Sequence, residues 1–351
     1  MRELLIDSIR IADDTSAFVI AEIGHNHQGS VETAKEFIAS AHEAGANAVK
    51  LQKRDNKALY TREMYDSAYL NRNSYGPTYG AHRDALEFDW AQYVELRDFC
   101  RDLGVLFFAT PFDFGSVDFL AKLDVPCFKT ASGDLKSTPL LTHIAKVGKP
   151  ILVSTGGATM EDVERAMDAI LPYNQDVSLL QCTASYPVDP EEMNLKVIET
   201  YRQAFPDLVV GLSDHQNGIA MATVAFVLGA RIFEKHFTMN RAMRGTDHAF
   251  SLEPGGLRKL VRDLERARQA MGDGVKRVLQ CEDAPLYKMG KKLVAARELP
   301  VGQVLTREDV ALKSPRDGLP PFELENVIGQ RLTAALAEDD NIRLEDLESV
   351  E

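Results

Sequence analysis

Cysteine is scarce in this chain. Cys100, Cys127, Cys182 and Cys281 are the only four in 351 residues, and they lie far apart with no C-x-x-C pair. That spacing excludes a zinc ribbon or dithiol redox motif, and leaves buried thiols in a reducing cytoplasm as the expectation. Long hydrophobic runs are also lacking. The best candidate, 219–230, suits a buried helix and is too short to cross a bilayer. The opening Met1-Arg-Glu-Leu-Leu lacks the apolar core of a signal peptide. Positive charge is outnumbered: 40 Lys and Arg stand against 53 Asp and Glu, a formal net charge of −13. This balance argues against nucleic acid and anionic membrane as partners, but it permits a local basic pocket for an anionic metabolite. There is no low-complexity segment, and no G-x-G-x-x-G follows the first apolar run.

What the chain does have is alternation. Short β-branched runs at 18–24, 48–52, 105–110, 127–132, 151–155, 177–183, 208–214 and 231–238 read as strands. Each precedes a stretch of helical period, at 31–44, 90–103, 116–123, 138–147, 160–171, 195–204, 219–228 and 256–271. Runs such as Ile151-Leu-Val and Val177-Ser-Leu-Leu are continuously apolar, as parallel strands buried on both faces must be. Eight βα units in succession predict an α/β fold of the (β/α)8 TIM-barrel class, with a doubly wound open sheet as the alternative. The segment 8–16 reads as a hairpin plugging the barrel bottom. After about Val275 the texture shifts to short runs split by turn residues, such as Pro315-Arg-Asp-Gly-Leu-Pro-Pro. The predicted division is a barrel over 1–280, a linker over 281–288 and a small domain over 289–351.

In such a barrel, chemistry gathers where strands run into the loops that follow them. Here every strand end is polar: Glu22, Lys50 with Gln52, Thr110 with Phe112, Lys129 with Ser132, Ser154, Tyr186, Ser213 with Asp214 and His215, and Glu234 with Lys235 and His236. One such charge could belong to a satisfied structural network, but the whole ring points to an active site. Lysines with hydroxyls on glycine-flanked loops suit a phosphate or carboxylate. By the two-residue period of a strand, Lys50 and Gln52 share a face and Lys53 points elsewhere. Glu22 is a candidate acid/base, with a salt bridge to a barrel lysine as the plainer alternative. His215 and His236 end successive strands and could hold a divalent metal. Hard surroundings favour Mn²⁺ or Mg²⁺ in an open site over a closed zinc site. Asp247 could reach back over the rim, while His82, His143 and His248 are weaker ligand candidates. The stretch 55–89 is long for a loop and so a candidate lid or sugar platform, in which Tyr75 and Tyr79 either stack on a ring or pack the loop.

Several strings together resemble the sialic acid synthase family. They are Ala21-Glu-Ile-Gly with Asn26-His-Gln-Gly29, Val49-Lys-Leu-Gln52, Ala109-Thr-Pro-Phe112, Lys129-Thr-Ala-Ser-Gly133, Leu152-Val-Ser-Thr-Gly156, Cys182-Thr with Tyr186-Pro187, Leu212-Ser-Asp-His215 and Glu234-Lys-His-Phe-Thr238. Lys292-Leu-Val-Ala-Ala-Arg with Val301-Gly-Gln-Val-Leu-Thr is similar to the antifreeze-like (SAF) domain of these enzymes. The resemblance implies a metal-dependent condensation of phosphoenolpyruvate (PEP) with the open-chain aldehyde of N-acetylmannosamine or a related amino sugar, giving a nonulosonic acid and phosphate. It implies Glu22 as acid/base and His215 and His236 as metal ligands. Lys50, Thr110, Lys129, Ser132, Ser154 and Ser213 would hold PEP, and Gln52, Phe112, Tyr186 and Asp247 would lie near the sugar. It also implies a homodimer in which the small domain of one protomer covers the barrel mouth of the other. Two positions depart from the family pattern. Ala184 stands where an Asn is common, and Ser314 stands where an Arg reaches the partner's sugar, so Arg316 is the candidate replacement. The alternatives are a class I aldolase with a Schiff base on Lys129, and a carbohydrate-binding protein with an inert barrel.

Overall fold

The computed structural model describes residues 2–350, and the chain falls into two compact units divided between Gly272 and Asp273. The first unit opens with an antiparallel hairpin of β1 (Glu3–Ile6) and β2 (Ile9–Ala12). Eight strands follow: β3 (Phe18–Gly24), β4 (Ala48–Lys53), β5 (Leu106–Pro111), β6 (Phe128–Thr130), β7 (Ile151–Ser154), β8 (Val177–Cys182), β9 (Val209–Asp214) and β10 (Ile232–His236). Their order is β5-β4-β3-β10-β9-β8-β7-β6, with every ladder parallel and β10 returning to pair with β3. β5 and β6 lie against one another without a hydrogen-bonded ladder, so the barrel is closed except for one seam. The expected (β/α)8 architecture is therefore the observed one.

The helices form where the period and the caps agree. Val31–Glu43 starts at Ser30, whose hydroxyl accepts from Thr33 N–H, and buries Val31, Ala34, Phe37, Ile38 and Ala41 on one face. Trp90–Leu103 begins in a capping box of Asp89 and Gln92 and stops at Gly104 in the left-handed region. The hairpin spans residues 3–12, earlier than the expected 8–16, because Asp7 takes a positive φ of 53° and turns the chain there. Arg231, just before β10, donates to Asp13 O at 2.8 and 3.1 Å, which pins the hairpin's end to the bottom of the barrel. Segment 55–89 is not an open loop. It folds into three short helices, Asn56–Leu59, Arg62–Asp66 and Tyr79–Asp84.

Inside the barrel, strands approach too closely for a side chain at Gly211. A Cβ there would meet Ile232 O and a Leu180 methyl, both at 2.5 Å. Gly211→Ala should destabilise the protein by about 1–3 kcal/mol, read as a lowered urea midpoint at unchanged slope.

The second unit has its own core of Leu293, Ala295, Leu299, Leu305, Val310, Val327, Leu332, Leu336 and Ile342. β11 (Lys292–Ala295) pairs antiparallel with β12 (Val310–Lys313), and β13 (Arg331–Leu332) with β14 (Leu347–Glu348). Residues expected as linker form a turn, Gln280–Glu282, and a helix, Asp283–Met289.

Candidate active site

Register sets the site. In parallel strands paired residues point to the same side, and the ladders align His236 with Glu22 and Glu22 with Lys50 across β10, β3 and β4. Glu234 aligns with Ser213, and Ser213 with Cys182, across β10, β9 and β8. These side chains line a cavity of about 410 Å³ at the C-terminal ends of the strands. Glu22, Lys50, Gln52, Thr110, Phe112, Lys129, Ser132, Ser154, Tyr186, Ser213, His215, His236 and Asp247 all line it, so every barrel residue expected at the site is there. Ala184 is in the wall as well. Arg316 belongs to the second unit, where it is exposed and its backbone N–H donates to Tyr287 O at 2.9 Å.

Four buried charged side chains occupy the floor. Lys50 Nζ lies 2.6 Å from Glu22 Oε2 and 3.8 Å from Glu234 Oε1, and it donates to Thr110 Oγ1 at 2.8 Å. Lys129 Nζ donates to Ser154 Oγ at 2.5 Å and Thr130 O at 2.9 Å, with Glu234 Oε2 at 3.9 Å. Gln52 Nε2 donates to Glu22 Oε1 at 2.7 Å. Burial pushes Glu22 up to about 7, against the pull of Lys50 and with the help of Glu234. Burial acts on Glu234 too, but Lys129 and Lys50 outweigh it and hold that carboxyl below its ordinary value. Burial also lowers Lys129. Two carboxyls in one cavity are thus driven apart, one sharing a proton at neutral pH and one ionised, which is the arrangement that divides acid/base work. On the wall, Ser132 Oγ accepts from Gly156 N–H at 3.0 Å. A Cβ at Gly156 would stand 2.7 Å from that oxygen, so the glycine keeps the hydroxyl in place.

The imidazoles of His215 and His236 lie 5.3 Å apart, with the Tyr186 ring 4.1 Å from His215 and Phe250 4.9 Å from His236. Burial and the neighbouring His236 lower His215 to about 4, and burial lowers His236 as well, so both are neutral and able to ligate. His215 Nδ1 faces Thr183 O at 3.0 Å, which places the proton there and frees Nε2. His236 Nδ1 is buried without a hydrogen-bond partner, and Asp247 Oδ2 is 3.7 Å away. Among the described residues no group of three or more His, Cys, Asp or Glu side chains is gathered for a metal. Two free imidazole nitrogens fit a water-rich, open divalent site and do not fit a closed structural one.

Behind this pair the same strands turn Asp214 and Lys235 outward. Lys235 Nζ donates to Asp214 Oδ2 at 2.9 Å and Gln216 O at 2.5 Å, and Asp214 Oδ1 accepts from Gln216 N–H at 2.8 Å. This buried pair clamps the turn that presents His215. Lys235→Met would leave Asp214 buried and unpaired, and should cost about 3–5 kcal/mol in denaturant unfolding.

The sequence reading left several wall residues unassigned, namely Arg54, Arg83, Asp134 and Thr246. The two-residue alternation that puts Lys50 and Gln52 on one face continues to Arg54, a signal available in the strand itself. Lys53 points away as expected, donating to Glu87 Oε2 at 3.1 Å. Tyr75 and Tyr79 pack the 55–89 segment. Tyr75 Oη donates to Arg244 O at 2.7 Å, and Tyr79 Oη accepts from Arg83 at 2.9 and 3.1 Å. His82 and His248 are buried in protein contacts, and His143 faces Asp118 at 2.7 Å.

Fold and cavity together define a TIM-barrel enzyme whose floor sets two lysines among two carboxyls. The family model of the NeuB family matches residues 37–276, and that of the SAF domain matches 292–348. The chain is 39% identical over 334 residues to the N-acetylneuraminate-9-phosphate synthase of Mus musculus, covering 95% of this chain and 93% of that protein. It is 33% identical to the N,N'-diacetyllegionaminic acid synthase of Legionella pneumophila, covering 95% of each. The crystal structure of the N-acetylneuraminic acid synthetase of Leptospira borgpetersenii superposes with a TM-score of 0.71 at 31% identity, over 81% of this chain and 95% of that one. The chain belongs to the NeuB family. No described helix is long and apolar enough to cross a membrane.

Proposed function

We propose that this enzyme condenses PEP with the open-chain aldehyde of an N-acetylated hexosamine, N-acetylmannosamine or a close relative, to give a nonulosonic acid and inorganic phosphate. The observation that carries the reading is the split pair of buried carboxyls, Glu22 near 7 and Glu234 ionised, set between two lysines in a cavity with a free imidazole pair. Lys50 and Lys129, with the hydroxyls of Thr110, Ser132, Ser154 and Ser213, bind the carboxylate and phosphate of PEP. Gln52, Phe112, Tyr186 and Asp247 orient the sugar, and Arg316 of the small domain approaches it from the partner protomer of a homodimer. The PEP C3 carbon attacks the aldehyde carbon, forming the C–C bond, and Glu22 gives its proton to the aldehyde oxygen. Water adds at C2, whose positive charge faces ionised Glu234. The C2–O bond to phosphate then breaks, leaving the 2-keto acid and phosphate; of the water's two protons, one leaves with the phosphate and the other returns to Glu22. Mn²⁺ or Mg²⁺ held by His215 and His236 would polarise the aldehyde oxygen.

Incubation with PEP, Mn²⁺ and a panel of N-acetylhexosamines tests this. One of them should release phosphate from PEP in step with sugar consumption. A class I aldolase is the second reading, favoured by the lowered pKa of Lys129. It requires pyruvate to be trapped on the protein by borohydride, and the condensation reading requires no adduct.

A further inference from the structure

The turn after β3 grips the loop that follows β10, and the gripping side chains have no part in the chemistry above. Asn26 N–H donates to Ile23 O at 2.8 Å and Gln28 N–H to His25 O at 3.0 Å, with Gln28 at a positive φ of 57°. Gly29 completes the turn, where a Cβ would stand 2.3 Å from Ala85 O. The turn sends the buried Asn26 side chain into the loop after β10. Its Nδ2 donates to Phe237 O at 2.8 Å and to Ser251 Oγ at 3.2 Å. A backbone carbonyl only accepts, so the amide orientation is fixed and both of its N–H groups are in use. Ser251, also buried, extends the chain: its Oγ donates to Asp247 O at 2.6 Å. A hydroxyl has one hydrogen, so Ser251 must accept from Asn26 and the relay runs one way. Gln28 Nε2 holds the same loop at a second point, donating to Arg244 O at 2.7 Å.

Asp247 has little else to hold it. Among the described residues its carboxylate accepts from the adjacent Thr246 hydroxyl alone, at 2.7 Å, and faces His236 Nδ1 at 3.7 Å. Thr246 belongs to the same loop and moves with it, so it cannot anchor Asp247 to the barrel. The neck of the loop is fixed, with Leu252 N–H donating to His236 O at 2.7 Å and Thr238 N–H to Leu252 O at 2.9 Å. Beyond the neck, the backbone of Asp247 is tied to the turn after β3 through Ser251 and Asn26. Linked hydrogen bonds in a dry interior strengthen one another. A shift of about 1 Å at an orienting group can cost about 100-fold in rate, so the relay's effect on Asp247 is large enough to measure.

We infer that Asn26, acting through Ser251, is a positioning residue that sets Asp247 against the aldehyde substrate. Its effect falls on the aldehyde and not on PEP, whose side chains stand on other strands and outside this loop. This rests on the condensation reading above and extends it from the cavity wall to the residues behind it.

Ser251→Ala tests this, because it removes the relay and leaves Asn26 bonded to Phe237 O. It should raise KM for the N-acetylhexosamine about 10-fold, the scale of one net hydrogen bond, and leave KM for PEP unchanged. Asn26→Ala should raise the aldehyde KM at least as far, and adding Ser251→Ala to it should raise it no further, as for members of one relay. Equal rises in both KM values, no rise in either, or additive effects overturn the inference and leave the condensation intact. If Asn26→Ala does not fold, the split in Ser251→Ala decides by itself. If no N-acetylhexosamine turns over with PEP, the condensation reading falls, and hydrogen exchange of the substrate-free protein decides the relay. Amide exchange over 244–250 that is about 10-fold faster in Ser251→Ala, with the barrel strands unchanged, supports it, and unchanged exchange overturns it.

Discussion

Glu22→Gln should lower kcat by about 100- to 10,000-fold and leave PEP binding in place, the span expected when a positioned acid/base is lost. The glutamine keeps the shape and the contact to Gln52 but has no proton to give. The pH profile carries the more specific signature. Burial raises the Glu22 carboxyl to about 7, so its protonated fraction falls as pH rises through that value. A general acid of this kind gives a rate that declines above about pH 7, and the decline should vanish from the residual activity of the variant. A rate-pH profile of wild type and Glu22→Gln in parallel checks both statements. A variant with normal kcat would remove Glu22 from the chemistry.

Exhaustive chelation should reduce turnover by more than about 1,000-fold, since a cation at a developing alkoxide is worth several kcal/mol. Mn²⁺ or Mg²⁺ should restore it. The proposed metal site rests on two atoms: His236 Nδ1 is buried with no hydrogen-bond partner, and the His215 ring is turned by Thr183 O so that Nε2 is free. His236→Ala should show the same loss without rescue by added metal. Full activity after chelation, confirmed by metal analysis of the protein, would contradict the assignment.

The barrel was legible because its signals are local. β3 and the helices Trp90–Leu103 and Thr138–Val147 fall where the apolar runs and helical period place them, within these bounds to the residue. The same holds for the ring of polar strand ends, since a two-residue period assigns Lys50 inward and Lys53 outward without any tertiary knowledge. The relay from Asn26 through Ser251 to Asp247 was not legible. Its members come from a turn after β3 and a loop after β10, so no single periodicity links them. The 55–89 segment lacks a long amphipathic stretch, and its helices of four to six residues are held by tertiary contacts such as Tyr65 to Asp84 and Asn56 to Asp84. The split between Glu22 and Glu234 also needed three dimensions. Both are strand-end glutamates in the sequence, and only the flanking lysines separate one acid from one carboxylate.

The central claim is a carbon–carbon bond between PEP and a sugar aldehyde, with phosphate lost from C2. The most direct measurement is carbon NMR of the reaction with [2-¹³C]PEP, Mn²⁺ and N-acetylmannosamine or a second N-acetylhexosamine. The label should move to the anomeric carbon of a nonulosonic acid as one equivalent of phosphate appears. Label that ends in pyruvate, or that stays in PEP with either sugar, would contradict the account.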